Sequence, residues 1–203
     1  FWSRGDLPPL HPATMKAHWL GGADLFYTDG HDAFAAVVLA REAKQLGVPV
    51  VMDAGSVREG SADLVAQVTE AISSEGFAPA LTGCEHPADA LRGLRQMGPA
   101  LVAMTFGPRG VLALAGQALV HVPAFDVKVV DTTGAGDAFH AGYAYARATG
   151  QDFLSSLRYG SAVAALKCGE RGGRRGLPNR QKVSELLQNG ARHGVPSDFL
   201  PFL

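Results

Sequence analysis

Residues 24–53 read DLFYTDGHDAFAAVVLAREAKQLGVPVVMD, and their pattern sets the fold class. Residues 24–28 form a short apolar run suited to a buried strand. Residues 32–46 are Ala-rich and helical, with Asp32 placed to cap the helix and Gly47 to stop it. Residues 48–52 suit a second strand whose proline stands near its start, where a missing N–H does least harm. Two strands joined by a helix of this length need a crossover, so they lie parallel in one sheet.

The same grammar extends outward. Residues 54–60 form a polar loop, residues 61–69 a helix and residues 71–73 a weak strand. A helix over 87–97 precedes a strong strand at 101–105 and a turn at 107–110. Residues 111–115 and 118–122, separated by Gly116-Gln117, read as a hairpin. Another short strand is expected at 127–130. Helices follow at 135–149, 153–167 and 181–189, with a Gly/Arg-rich loop at 169–176. Upstream, Pro8, Pro9 and Pro12 imply irregular backbone, and residues 14–20 a short helix. No heptad, tandem repeat or linker interrupts the pattern, so residues 1–203 are expected to form a single α/β domain.

Composition narrows the function classes. The chain is 47% hydrophobic and 18% charged, with 18 Lys plus Arg against 19 Asp plus Glu, a net charge of −1. That balance excludes a disordered chain and gives no broad attraction to nucleic acid or an acidic membrane. The longest wholly apolar run, residues 33–40, falls far short of the roughly 18 residues of a membrane helix. Cys84 and Cys168 stand too far apart for a C-x-x-C motif. A cytoplasmic protein is expected. The chain opens at Phe1 without Met or signal, which reads as the later part of a longer chain.

The chemistry concentrates in Val129-Val130-Asp131-Thr132-Thr133-Gly134-Ala135-Gly136-Asp137-Ala138-Phe139. This stretch joins a β-rich region to an Ala-rich helix. Small residues at a helix start let backbone N–H groups approach an anion closely, and the helix dipole favours the charge. A carboxylate at Asp137 would repel that anion unless it has a task. The natural one is to take a proton from an attacking hydroxyl while the backbone donors hold a transferring phosphoryl group. A dinucleotide fingerprint fails, because Phe139 stands where its last glycine belongs, and a Walker loop fails for want of Gly-Lys. Spacing alone leaves a second reading open, a Gly-rich cap before a buried helix.

Residues 131–137 resemble the second signature of the ribokinase-like, or phosphofructokinase-B, carbohydrate kinases. Thr105-Phe106-Gly107-Pro108-Arg109-Gly110 is similar to the family's T-x-G-x-x-G nucleotide loop, and residues 167–176 with Pro178 resemble its Gly-rich closing segment. The resemblance implies a three-layer sandwich, a mostly parallel sheet with helices on both faces, whose N-terminal part and lid precede Phe1. It implies Asp137 as catalytic base and the N–H groups of Gly134, Ala135 and Gly136 as an anion hole. It implies nucleotide contacts at Thr105, Gly107, Gly110 and Ser161. Asp131 and Thr133, with carbonyls near Cys168 and Gly173, resemble the family's monovalent-cation site. ATP, Mg²⁺ and K⁺ are the implied cofactors, a sugar the implied acceptor, and a homodimer of the longer protein an implied assembly, with neither nucleic acid nor membrane as partner.

The family's N-x-x-E motif is replaced by Ser74-Glu75-Gly76-Phe77, with Glu75 off register. This variation resembles the ketohexokinase and sulfofructose-kinase branch, and leaves magnesium to the ATP phosphates and water. Arg58, in the loop after Asp53, stands where a strand end opens a binding crevice and can hold a substrate phosphate or sulfonate, or simply face solvent. Asp29 and His31 can line the same crevice. His140 shares a helix face with Asp137, where packing and substrate contact both remain open. Arg171, Arg174 and Arg175 read as a solvated loop, Cys168 as a core residue, and Trp2 and Trp19 carry no motif. The competing function is a truncated or degenerate nucleotide-binding scaffold or interaction module without catalysis.

Overall fold

A computed structural model describes residues 5–203. The elements are β1 (Phe26–Thr28), α1 (Ala33–Gln45), β2 (Val50–Ala54), α2 (Ser61–Val65), β3 (Glu70–Ser74), α3 (Phe77–Thr82), α4 (Pro87–Gln96), β4 (Leu101–Thr105), β5 (Val111–Ala115), β6 (Ala118–Val122), α5 (Ala135–Ala148), α6 (Phe153–Lys167) and α7 (Arg180–Asn189). The six strands lie side by side in chain order. β1 to β4 are parallel, in a register that sets Phe26 beside Val50, Val51 beside Glu70 and Glu70 beside Leu101. β5 turns back on β4, and β6 on β5, so the sheet ends in an antiparallel hairpin.

Strand alternation divides the core. Val50, Met52, Ala71, Val102, Met104 and Leu112 face α1 to α4. The intervening Val51, Ile72, Ala103, Val111 and Ala113 face α5 and α6, meeting Phe139, Tyr143 and Leu157. Helices therefore cover both faces, and the expected three-layer sandwich is present. α5 and α6 approach closely because their contact is lined with glycine. A Cβ on Gly142 would stand 2.8 Å from Val163 Cγ2, and one on Gly160 would stand 2.7 Å from the Phe139 carbonyl.

Several local expectations are corrected. Residues 14–20 form no continuous helix but parts of two 3-10 turns, Pro12–Thr14 and Ala17–Leu20. The helix at 61 stops at Val65, because Thr69 turns back to bond Val50, its hydroxyl donating to the Val50 carbonyl at 2.9 Å. Asp32 makes no side-chain cap; its carboxylate accepts from Leu10 N–H at 3.3 Å instead. α3 was not foreseen. Residues 127–130 pair with no strand, and Val129 and Val130 are exposed. Trp19 is exposed, while Trp2 lies outside the described residues.

At the N-terminal end of β3 the carboxylate of Glu70 is buried between the sheet and α5. Arg147 grips it through Nη2 at 2.6 Å and Nε at 2.9 Å, and the Tyr143 hydroxyl donates to its other oxygen. Removing one partner of such a pair leaves an uncompensated buried charge. Arg147→Met is expected to lower unfolding free energy by about 3–5 kcal/mol, read by urea denaturation. The double variant Glu70→Gln/Arg147→Met should recover much of that loss.

Candidate functional site

The candidate site gathers at the C-terminal end of the parallel strands, where open α/β sheets form ligand crevices. β4 delivers Thr105, whose hydroxyl donates to the Ser73 carbonyl at 3.3 Å. The following turn needs glycine at Gly110, with φ +86°, since a Cβ there would lie 2.3 Å from the Val122 carbonyl. Arg109 fixes this turn from outside. It donates to Glu75 and to Asp198, the latter at 2.8 Å, and its guanidinium stacks over Phe106 and Phe199. Glu75 is thereby committed to the loop after β4.

A cavity of about 590 Å³ lies between this turn, the start of α5 and the last turns of α6. Thr105, Gly107, Gly110, Ala135, Gly136 and Ser161, residues from three separate segments, line it together. Val127 and Val129 also line it, which explains an apolar run that joins no sheet.

The loop before α5 is shaped by Asp131. Its Oδ1 accepts from Thr133 N–H at 2.9 Å and its Oδ2 from Gly172 N–H at 2.7 Å. Those donors, Gly172 first and Thr133 next, hold the Asp131 carboxyl well below the usual carboxylate range. The Asp131 carbonyl accepts from Lys167 Nζ at 2.8 Å. Val130 and Asp131 N–H both donate to the Cys168 carbonyl, at 2.8 and 3.1 Å. Gly134 takes the left-handed conformation, φ +73°, that turns the chain into α5. The Ala135 amide donates to the Thr132 carbonyl at 3.0 Å. Gly173 packs close by, its carbonyl 3.4 Å from where a Gly134 Cβ would stand. Asp137 follows in the first turn of α5, exposed. Among the described residues no group of three His, Cys, Asp or Glu side chains is arranged to hold a metal ion.

The charge of Asp137 also reaches the ends of β1 and β2, acting on Tyr27 and Asp53. There Tyr27 donates its hydroxyl to Asp53 Oδ2 at 3.0 Å, and His140 Nε2 meets Asp53 Oδ1 at 3.1 Å. Burial, opposed by the Tyr27 hydrogen bond and reinforced by Asp137, pushes Asp53 up to about 6. Burial pulls His140 down to about 4 against the attraction of Asp137. Burial and then Asp53 drive the Tyr27 phenol above its ordinary value. Arg58 Nη2 stands 3.2 Å from His31 Nε2, and His31 Nδ1 is 3.1 Å from Asp29 Oδ2, so these three candidates share one cluster. Sequence reasoning missed Tyr27 and Asp53 as site residues; Asp53 at a parallel strand's C-terminal end was the available signal.

Residues 7–180 match the family described as pfkB family carbohydrate kinase. A ribokinase of Bacillus subtilis is 44% identical over 89 residues, 44% of this chain and 30% of that protein. A ribokinase of Haemophilus influenzae is 30% identical over 155 residues, 74% of this chain and 51% of its own length. The structure of Arabidopsis thaliana ribokinase complexed with ribose and ATP superposes with a TM-score of 0.69 at 26% identity, covering 77% of this chain and 53% of that one. The chain belongs to the pfkB carbohydrate kinase family. It spans about half the length, or less, of these curated relatives.

The Asp53–His140 pair has opposed pH linkage. Asp53, raised when folded, contributes stability at low pH that is lost as pH rises through about 6. His140, depressed when folded, contributes stability above about 6.5 that is lost as pH falls through about 4. Asp53→Asn should therefore gain on wild type as pH rises from 4 to 6, and His140→Gln should gain as pH falls from 6.5 to 4. Each change should amount to about 2 kcal/mol over its window in urea titrations at stepped pH.

Proposed function

We propose that the protein transfers the γ-phosphoryl group of ATP to a hydroxyl of a sugar, a ketose or related small carbohydrate. The observation that carries this reading is Asp137. Its carboxylate stands one turn into a helix whose first residues line the cavity that also takes in Thr105, Gly110 and Ser161. Membership of the pfkB family supports the reaction class.

The chain's residues divide the work. The cavity's apolar walls suit a nucleobase, and its volume of about 590 Å³ is in the range of small-molecule sites. Thr105, Gly107 and Gly110 would run beside the nucleotide. The α5 N-terminus, with Gly134, Ala135 and Gly136, would carry the γ-phosphoryl oxygens on backbone N–H groups and the helix dipole. In this structure Ala135 N–H is turned to Thr132, so Gly136 is the better placed donor. Asp137 would accept the acceptor hydroxyl's proton as the O–P bond forms. Arg58, Asp29 and His31 would border the acceptor at the ends of β1 and β2. Mg²⁺, held by phosphates and water, would supply neutralisation of the nucleotide's charge.

Asp137→Asn in the intact protein should lower turnover about 10²–10⁴-fold while ATP affinity stays within a few-fold. A coupled assay over a ketose panel with calorimetric ATP titration reads both. A variant turning over at near wild-type rate removes Asp137 from the base role. A wild type that binds ATP and phosphorylates nothing favours the scaffold.

A further inference from the structure

Lys167, the last residue of α6, is 0% exposed. A buried ammonium is costly unless it is paired and hydrogen-bonded, and an apolar residue would serve plain packing better. What this ammonium meets is backbone: Nζ donates to the Asp131 carbonyl at 2.8 Å. The Asp131 carboxylate is close enough for Lys167 to help hold it ionised. The chain closes over the pair from two further sides. Gly176 abuts Lys167, a Cβ there falling 2.3 Å from the Lys167 carbonyl, and Gly172 N–H reaches Asp131 Oδ2.

We propose that the Lys167 ammonium is a built-in monovalent cation of the phosphate-binding loop, a positioning residue that lets residues 131–136 keep their shape without a cation from solution. Peptide planarity makes the mechanism direct: fixing the Asp131 carbonyl fixes the plane that carries Thr132 N–H, and with it the start of the turn through Gly134. Backbone carbonyls that replace a cation's hydration shell serve an ammonium as they serve potassium. Asp131, whose oxygens a free potassium would seek, already lies beside this fixed charge, which repels a second cation at short range. The inference rests on the phosphotransfer reading for its activity arm alone.

The test compares wild type, Lys167→Ala and Lys167→Met in the intact protein, in tetramethylammonium, potassium or ammonium chloride at equal ionic strength. Calorimetry with a non-hydrolysable ATP analogue reads the loop directly, and turnover is measured where a sugar is accepted. Wild type should show the same affinity and rate in all three salts. Lys167→Ala should lose about 10²-fold in kcat in tetramethylammonium with little change in sugar KM, and should weaken analogue binding. Potassium or ammonium, entering the vacated space, should recover a large part of both. Lys167→Met, which fills the space without charge, should lose activity and gain nothing from potassium. Strong potassium stimulation of wild type overturns the proposal. So does a folded Lys167→Ala that is unimpaired, or equally impaired in every salt. If neither variant folds, the wild-type salt response still decides, and the binding arm decides even if no sugar is phosphorylated.

Discussion

Asp131 holds its loop by all three of its oxygens, and the N-terminal end of α5 depends on that grip. One carboxylate oxygen takes Thr133, the other Gly172, and the carbonyl takes Lys167. The partners come from three places: the loop itself, the Gly/Arg-rich segment and the end of α6. A loop of small residues has no side chains with which to define its own shape and loses much conformational entropy on ordering. Charge-assisted hydrogen bonds to neighbouring segments supply what the side chains do not.

That grip requires α6 to end in the right place, which the helix packing ensures. Gly142 and Gly160 bring α5 and α6 together so closely that a methyl group at either would collide with the opposite helix. α6 thereby presents the Cys168 carbonyl to Val130 and Asp131 at its C-terminus. α5 is in turn seated on the sheet through Phe139 and Tyr143, and through the Glu70–Arg147 pair beneath β3. The route from the sheet to the first turn of α5 is thus a chain of packed, short-range contacts. Asp137 stands near the site end of α5, ten residues before the arginine that anchors the other end.

The sequence made legible those elements whose signals are local. The hairpin at 111–122 was readable from alternation around Gly116-Gln117, whereas for residues 131–137 spacing left a plain helix cap open and the resemblance to a family signature carried the reading. β3 looked weak because it carries Glu70, Ser73 and Ser74, yet Glu70 and Ser73 are buried; the partners that make Glu70 tolerable come from α5. α3 escaped notice because it is six residues long with a proline inside and no side-chain cap. Residues 127–130 misled because valines there line a cavity, and apolar patterning does not distinguish a cavity wall from a strand. The Lys167–Asp131 contact joins positions 36 residues apart, and Tyr27–Asp53 joins positions 26 apart; no spacing rule reaches either.

The cluster at the ends of β1 and β2 shows how burial, more than charge pairing, sets the character of its ionisable groups. With its ring depressed to about 4, His140 is neutral near pH 7, so its 3.1 Å approach to Asp53 is a hydrogen bond from Nε2–H. That tautomer leaves Nδ1 as a bare acceptor, buried and without a partner among the described residues. Tyr27, its phenol likewise kept protonated, donates to the other oxygen of Asp53. Two neutral donors thus fix one carboxylate at the floor of the crevice, and neither contributes a positive charge. The desolvation that would make a lone Asp53 unfavourable is thus met by hydrogen bonds from two uncharged groups rather than by a counter-charge.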